Sequence, residues 1–426
     1  MKVVFMAGGK GTRISSVASD IPKPMIKICG KPVLEHEILC LREQGFTDFI
    51  ITVGHLSEAI IDYFGDGSVF GVNIEYYIER ELLGNAGALF RLKDKLTEDF
   101  LLLNADVLFD IDFNRFVAFH KSHGGFVTLF THPNNHPYDS GLIVTDKSGA
   151  VENWLTKEDV RPEFYANRVN AGIHVISPQV LKMRIDTSKI DLDRQLLKPL
   201  AGTGKMFAYD SPEYVKDMGT PERYESVSRD FESGVVQSRN LSNKQKAIFL
   251  DRDGTINEYV GFLTDINDFR LAVGVGEAVK KINQSGYLAI VVTNQPVIAR
   301  GEVTVAQLDE IHKKMETLLG EEGAFVNAVY YCPHHPHKGF VGEIAELKID
   351  CDCRKPKAGL LYRAAEDFNI DLTRSWMIGD GNADIECGKN GGCRTARIGE
   401  KGDADVNGRN LLECVNRILS EENTNE

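Results

Sequence analysis

Two α/β domains joined by a short polar linker are what this 426-residue sequence predicts. Three observations carry that expectation. The length exceeds what one hydrophobic core ordinarily serves. Two apolar strand patterns, Val3 to Ala7 and Ala247 to Leu250, each run into a loop of small or acidic residues. Each is then followed by alternating strand and helix patterns, the signature of βαβ units on a largely parallel sheet.

The elements follow in order. Phe49 to Val53, Phe100 to Leu103 and Phe126 to Phe130 read as further strands of the first domain, and Pro221 to Phe231 as its closing helix. Ser233 to Lys246 is polar, contains Gly234 and lacks apolar periodicity, which marks a linker. Leu288 to Thr293 and Trp376 to Ile378 are strands of the second domain. The expected division is 1–232, linker 233–246, and 247–426.

Composition narrows the function. Hydrophobic residues at 42% and charged residues at 26% are ordinary for globular protein, and no apolar run is long enough to span a bilayer. Met1 to Ala7 runs directly into glycines without a cleavage site, so a cytoplasmic location is expected. A formal charge of −13 argues against a nucleic-acid partner, because phosphate backbones are held by basic surface. Small phosphorylated substrates remain compatible with it. The oligomeric state is left open.

In the first domain, Gly8-Gly9-Lys10-Gly11-Thr12-Arg13 follows the first strand. Missing β-carbons let backbone N–H groups approach phosphate oxygens, and Arg13 adds charge. The run is neither a Walker loop nor a dinucleotide fingerprint, and by itself a tight glycine connection explains it as well. In Pro22-Lys23-Pro24-Met25, two prolines stiffen the backbone around a lysine and fix where its ammonium points.

These segments resemble the signature of the sugar-1-phosphate nucleotidyltransferases. Leu83-Gly84-Asn85-Ala86-Gly87, Leu103-Asn104-Ala105-Asp106, Asn170-Ala171-Gly172 and Asp217-Met218-Gly219-Thr220-Pro221 continue the resemblance over roughly the first 220 residues. It implies a Rossmann-like mixed sheet on which a sugar 1-phosphate attacks the α-phosphorus of a nucleoside triphosphate and expels pyrophosphate. Arg13 would then hold the pyrophosphate, Lys23 the α-phosphate, and Asp106 with Asp217 a magnesium ion. Gly8, Gly9, Gly11, Thr12, Gly84 and Asn85 would line the nucleotide, and Gly141, Lys157 and Asn170 the sugar phosphate. Two positions depart from the pattern: Thr156 replaces the glutamate of a Glu-Lys pair, and Asn85 stands where threonine is commoner. The details are most similar to mannose-1-phosphate and heptose-1-phosphate guanylyltransferases.

In the second domain, Asp251-Arg252-Asp253-Gly254-Thr255 places two carboxylates on one side of a loop at a strand end. Asp251 is the expected nucleophile, forming an aspartyl-phosphate, and Asp253 the acid that protonates the leaving alcohol and then activates water. Cys332-Pro333-His334 with Cys351-Asp352-Cys353 supplies three thiolates and an imidazole, a set suited to tetrahedral structural zinc, with His335 and His337 as alternative nitrogen ligands.

The Asp251 run resembles the first motif of the haloacid dehalogenase superfamily, which implies a Rossmannoid sheet, here with a zinc-binding loop. By that resemblance Thr293 and Asn294 would hydrogen-bond the transferring phosphate, and Lys355 would neutralise it. Asp251, Asp253 and Asp380 would hold magnesium, with Asp384 behind them. The zinc loop followed by Cys353-Arg354-Lys355-Pro356 is similar to heptose 1,7-bisphosphate and histidinol-phosphate phosphatases. Arg354 would hold the uncleaved phosphate. Pro296-Val297 replaces the usual Ser-Gly, and Gly381 stands where lysine commonly follows the magnesium aspartate.

Together the resemblances imply a bifunctional enzyme. It would remove the 7-phosphate of a heptose 1,7-bisphosphate and transfer a nucleotidyl group, GMP from GTP, to the remaining 1-phosphate for bacterial surface glycans such as lipopolysaccharide. Three alternatives stand beside it: transfer of AMP, a mannose-1-phosphate transferase paired with another small-molecule phosphatase, and a nucleotidyltransferase-like sensor regulating the phosphatase.

Overall fold

The structure is a computed structural model that describes residues 1–8, 21–80, 83–84, 86–183, 189–399 and 402–425. The chain forms two compact units. The first comprises Met1–His132, Gly141–Glu158 and Arg168–Asn240, and the second Pro133–Ser140, Asp159–Asn167 and Leu241–Glu426.

The longer strands of the first unit, among the described residues, are β1 (Val3–Ala7), β2 (Asp48–Val53), β3 (Asn73–Ile78), β4 (Phe100–Asn104), β5 (Val107–Asp110), β6 (Val127–His132), β7 (Leu142–Thr145), β8 (Val151–Leu155), β9 (Val169–Ile176), β10 (Met206–Asp210) and β11 (Tyr214–Asp217). Nine of them form one sheet in the order β8-β7-β9-β4-β1-β2-β3, with β6 also paired to β9 and β10 to β6. β1, β2, β3 and β4 run parallel, and β1, β2 and β4 are the near-continuous apolar runs expected of strands buried on both faces. β9 runs antiparallel to β4, β6 and β7, which makes the sheet mixed rather than largely parallel. β5 and β11 form a separate antiparallel ladder.

Side chains on opposite faces of these strands build two cores. Phe5, Leu101 and Leu103 point to one, and Val4, Phe100 and Leu102 to the other. Alternation along each strand produces that division.

The closing helix spans Pro221–Glu232, with proline at its first position and the Thr220 side chain accepting from Arg223 N. The stretch expected as linker, 233–246, is more structured than its polarity suggested. It holds a short helix, Val235–Ser238, whose Val236 packs with Ile28, Leu108, Met218 and Val227. One buried valine suffices to dock a turn too short to show periodicity.

Among the described residues the second unit has six strands, β12 (Lys246–Leu250), β13 (Tyr287–Asn294), β14 (Ala328–Cys332), β15 (Trp376–Gly379), β16 (Arg394–Ile398) and β17 (Val406–Gly408), in the order β14-β13-β12-β15-β16-β17. All neighbours are parallel. The order reverses at β12, so a crevice opens at the carboxyl ends of β12, β13 and β15, where an α/β sheet places its ligand. The helix Val305–Glu321 starts at a capping box between Thr304 and Gln307. Two segments from earlier in the sequence pack on it: Pro137 lies where a β-carbon on Gly320 would be, and Tyr165 N donates to Thr317 Oγ1 at 2.9 Å and Asn167 N to Glu316 Oε2 at 3.0 Å. Among the described residues, no helix is long and apolar enough to cross a membrane.

Candidate active sites

In the second unit, β12 delivers Asp251, whose N–H continues the ladder to Ile378 O at 2.9 Å. The loop turns at Gly254, with φ of 84°. A β-carbon there would overlap Asp380 Oδ2, so glycine is required both by conformation and by the approach of that carboxylate. Gly379 is likewise bare where a β-carbon would overlap Asp384. Asp251, Asp380 and Asp384 thereby offer carboxylate oxygens within 4.8 Å of one another.

Lys355 stands among them. Its Nζ donates to Asp251 Oδ1 and pairs with Asp384 Oδ1, both at 2.6 Å, and also donates to Val292 O at 2.9 Å. Burial pushes the Asp251 carboxyl up to about 7; Lys355 opposes that, and Asp384 and Asp253 add to it. Asp380 is raised by burial and by Asp384. Burial alone would lower the Lys355 ammonium, but Asp251 and Asp384 outweigh it and hold it above its ordinary value. Three carboxylates facing one ammonium leave an excess of negative charge on hard oxygen donors, which fits a magnesium ion.

Several of the expected site residues have further partners in this structure. Asp253 does not join the carboxylate group: Arg252 Nη2 donates to both its oxygens at 2.8 Å, and Gln295 Nε2 donates to Oδ2 at 2.9 Å. Asp384, expected behind the magnesium site, stands within the group instead. Asn294 uses its amide on Lys355, donating from Nδ2 to the carbonyl at 3.1 Å and accepting from the backbone N–H at 3.0 Å. These two bonds tie Asn294 to the backbone of Lys355. Thr293 is buried, its Oγ1 accepting from Gln295 Nε2 at 2.9 Å.

At the end of β14, Cys332, His334, Cys351 and Cys353 converge. Their Sγ atoms lie 3.5, 3.2 and 3.2 Å apart, and His334 Nδ1 is 3.2 Å from Cys353 Sγ. A zinc–sulfur distance of about 2.3 Å sets tetrahedral edges of roughly 3.8 Å, so the cluster, slightly contracted against those dimensions, is a set that could hold a metal ion. His335 faces elsewhere, its Nδ1 toward His337 O at 3.2 Å. Arg354 follows the last thiol and donates to His334 O at 3.1 Å.

In the first unit, Lys23 Nζ meets Asp106 Oδ2 at 2.8 Å. The β5–β11 ladder pairs Asp217 with Val107, and Met218 N donates to Asp106 O at 3.3 Å, so Asp106 and Asp217 occupy neighbouring positions. Asp217 receives two hydrogen bonds from Arg223 Nη1, at 2.9 and 2.8 Å, and one from Gly219 N at 2.8 Å. Gly84 has φ of 77°, and a β-carbon there would overlap Ile190 O. Leu142 pairs with both Leu155 and Val169, which gathers Gly141, Lys157 and Asn170 at one end of their strands. Asn170 Oδ1 accepts from Gly172 N at 3.2 Å. Gly8 abuts Glu79: a β-carbon on the glycine would come within 3.1 Å of Glu79 Oε1. Burial holds the Glu79 carboxyl above its ordinary value. Gly9, Gly11, Thr12, Arg13 and Asn85 lie outside the described residues.

The nucleotidyl transferase family profile matches residues 2–234, more than half of the chain, and a HAD-hydrolase-like profile matches residues 352–408. Over 161 residues the chain is 41% identical to D-glycero-beta-D-manno-heptose-1,7-bisphosphate 7-phosphatase of Haemophilus ducreyi, a match taking in 38% of this chain and 86% of that protein. The chain belongs to the nucleotidyl transferase family, extended by a HAD-like phosphatase. Its nucleotidyl transferase half is 32% identical over 230 residues to "Probable mannose-1-phosphate guanylyltransferase 2" of Oryza sativa subsp. japonica. That match takes in 53% of this chain and 63% of the relative, so the chain spans less than two thirds of that protein's length. The solved structure of HddC from Yersinia pseudotuberculosis is 25% identical, with a TM-score of 0.48 over 54% of this chain and 99% of that one.

Sequence reasoning missed four residues that the geometry brings to these sites. In the nucleotidyl transferase half, Arg223 reaches back from the first turn of a helix to Asp217, and Glu79 arrives beside Gly8 at the end of β3. In the HAD-like half, Arg252 and Gln295 hold Asp253. Arg252 lay in plain view between two aspartates, yet an arginine in a loop carries no local sign that it will be buried.

Proposed function

We propose that the chain is a bifunctional enzyme of nucleotide-activated heptose formation, in which the HAD-like half removes the 7-phosphate of a heptose 1,7-bisphosphate and the nucleotidyl transferase half transfers GMP from GTP to the resulting 1-phosphate. One observation carries this reading. A single chain joins a half similar to a heptose-bisphosphate 7-phosphatase to a half similar to sugar-1-phosphate guanylyltransferases, and the product of the first reaction is the acceptor of the second.

In the phosphatase, Lys355 holds one oxygen of Asp251 and so orients the carboxylate for attack on phosphorus. A magnesium ion among Asp251, Asp380 and Asp384 would supply charge neutralisation for the transferring phosphoryl group. Arg354, set beside the zinc ligands, is placed to hold the phosphate that is kept. In the transferase, Lys23 and Arg13 would hold the phosphates of the nucleotide, and Gly141, Lys157 and Asn170 the sugar phosphate. Glu79 supports guanine over adenine. Guanine presents two neighbouring donors on its Watson–Crick edge, whereas adenine presents a donor beside an acceptor, and a carboxylate only accepts.

Phosphorus NMR of both anomers of heptose 1,7-bisphosphate, with each of the four nucleoside triphosphates and magnesium, tests the reading. The expected result is 1-phosphate that accumulates without nucleotide and converts with pyrophosphate release only when GTP is added. The Haemophilus relative's name specifies the β anomer, and the guanylyltransferase resemblance points to the α anomer; the same spectra decide between them. Asp251→Asn should abolish only the first step and Asp106→Asn only the second. Pyrophosphate release that persists in Asp106→Asn, or equal use of ATP and GTP, overturns the corresponding assignment.

A further inference from the structure

Arg252 is wholly buried, at 0% exposure, between the two aspartates that the phosphatase reading places at the chemistry. Its guanidinium donates to Asp253 as described, from Nη2 to Gln295 Oε1 at 3.1 Å, and from Nη1 toward His312 Nε2 at 3.3 Å. A guanidinium has donors only, so His312 Nε2 is the acceptor and the imidazole carries its proton on Nδ1. His312 comes from a separate element, the helix Val305–Glu321, where it is buried with its ring 5.7 Å from that of Tyr331. Burial and the charge of Arg252 hold the imidazole well below its ordinary pKa, in keeping with the neutral form the geometry requires.

In this arrangement Asp253 is bonded to Arg252 and Gln295 and stands outside the group formed by Asp251, Asp380 and Asp384. To serve the leaving group it must turn toward substrate. In the first step the Asp251–phosphorus bond forms as the phosphorus–oxygen bond to the sugar breaks, and that oxygen keeps the electron pair and takes the proton Asp253 brings. In the second, water oxygen bonds to phosphorus as the Asp251–phosphorus bond breaks, and Asp253 takes the water proton. Each departure of Asp253 strips Arg252 of the only carboxylate bonded to it among the described residues while the guanidinium stays buried, a costly state unless other acceptors remain. Gln295 is itself bonded to Asp253 and Thr293, so it belongs to the part that rearranges. His312 does not.

We infer that His312 is a positioning residue for the phosphatase reaction, the fixed acceptor that keeps Arg252 in place while Asp253 turns between its bonded position and the substrate. The inference rests on the phosphatase reading above. Without that acceptor Arg252 holds Asp253 more tightly, and the step that needs a proton on the leaving oxygen slows.

The test uses the full-length protein with magnesium, comparing His312→Phe, His312→Gln and Asp253→Asn. Single-turnover release of the leaving group is measured from the sugar bisphosphate, whose alkoxide needs a proton, and from p-nitrophenyl phosphate, whose phenolate does not. His312→Phe should slow release from the sugar substrate roughly tenfold to a hundredfold and from the nitrophenyl ester less than about threefold, while His312→Gln, which keeps an acceptor, stays within about threefold on both. Equal slowing of both substrates, or of neither, by His312→Phe overturns the inference. So does failure of glutamine to rescue. If Asp253→Asn shows the selective loss and His312→Phe does not, the inference alone falls. If Asp253→Asn shows no selectivity, the acid assignment falls and takes the inference with it.

Discussion

Lys355 and Asp251 meet at 2.6 Å with their side chains only 3% and 13% exposed. The lysine is at once the counter-ion of the nucleophile and of Asp384, so its removal leaves three carboxylates without a cation of their own. Lys355→Met should lower phosphatase kcat by roughly a thousandfold and, in magnesium-free buffer, lower unfolding free energy by about 3–5 kcal/mol. Nucleotidyl transfer by the same variant should be unchanged. Denaturant titration with and without magnesium, beside both assays, checks the set.

Gly254 gives a sharper case because nothing titrates. Gly254→Ala should lose about 1–2 kcal/mol from the left-handed backbone. The added carbon also collides with Asp380, so phosphatase activity should fall together with magnesium affinity. Isothermal titration with magnesium separates that outcome from simple destabilisation.

The thiol cluster predicts one zinc per chain. Chelation should release it, render Cys332, Cys351 and Cys353 reactive toward a thiol reagent, and open the polar stretch from Pro333 to Asp350 to proteases. Cys353→Ser should behave as the chelated wild type does, read by metal analysis and by the cleavage pattern.

His123 yields a pH dependence. Burial, with a lesser push from His120, holds it down at about 4, and its ring stacks on Phe207 with centroids 3.7 Å apart. Its folded pKa lies below the unfolded value, so the unfolded chain binds the extra proton between about pH 6.5 and 4. The stabilising share of His123 is therefore present above about pH 6.5 and lost as the pH falls through that window. His123→Phe should flatten the fall in thermal midpoint over the same range.

What the sequence made legible follows a pattern. Asp251, Asn294 and Asp380 end or follow apolar strands, and the strands announced themselves by composition, so placing these residues in one crevice needed only the parallel order of β12, β13 and β15. The four zinc-set residues were legible from two tight pairs in sequence. Partner choice was not. Whether Asp253 faces a metal or Arg252, and whether Asn294 faces a phosphate or the Lys355 backbone, depends on side-chain directions that spacing does not encode. Arg223 escaped notice for the same reason: the Thr220 cap and Pro221 marked the start of its helix, but nothing local pointed the guanidinium back to Asp217.

The allocation of Pro133–Ser140 and Asp159–Asn167 to the second unit bears on how such a chain can be inherited. The polypeptide passes from one unit to the other at five points, so a recombination crossover at Asn240 would leave two segments of the second unit joined to the first. A gene fragment beginning at Leu241 would encode Thr317 and Glu316 without Tyr165 and Asn167, whose backbone N–H groups donate to them. Replacement of the HAD-like half by a homologue with other side chains at these two positions would remove both acceptors.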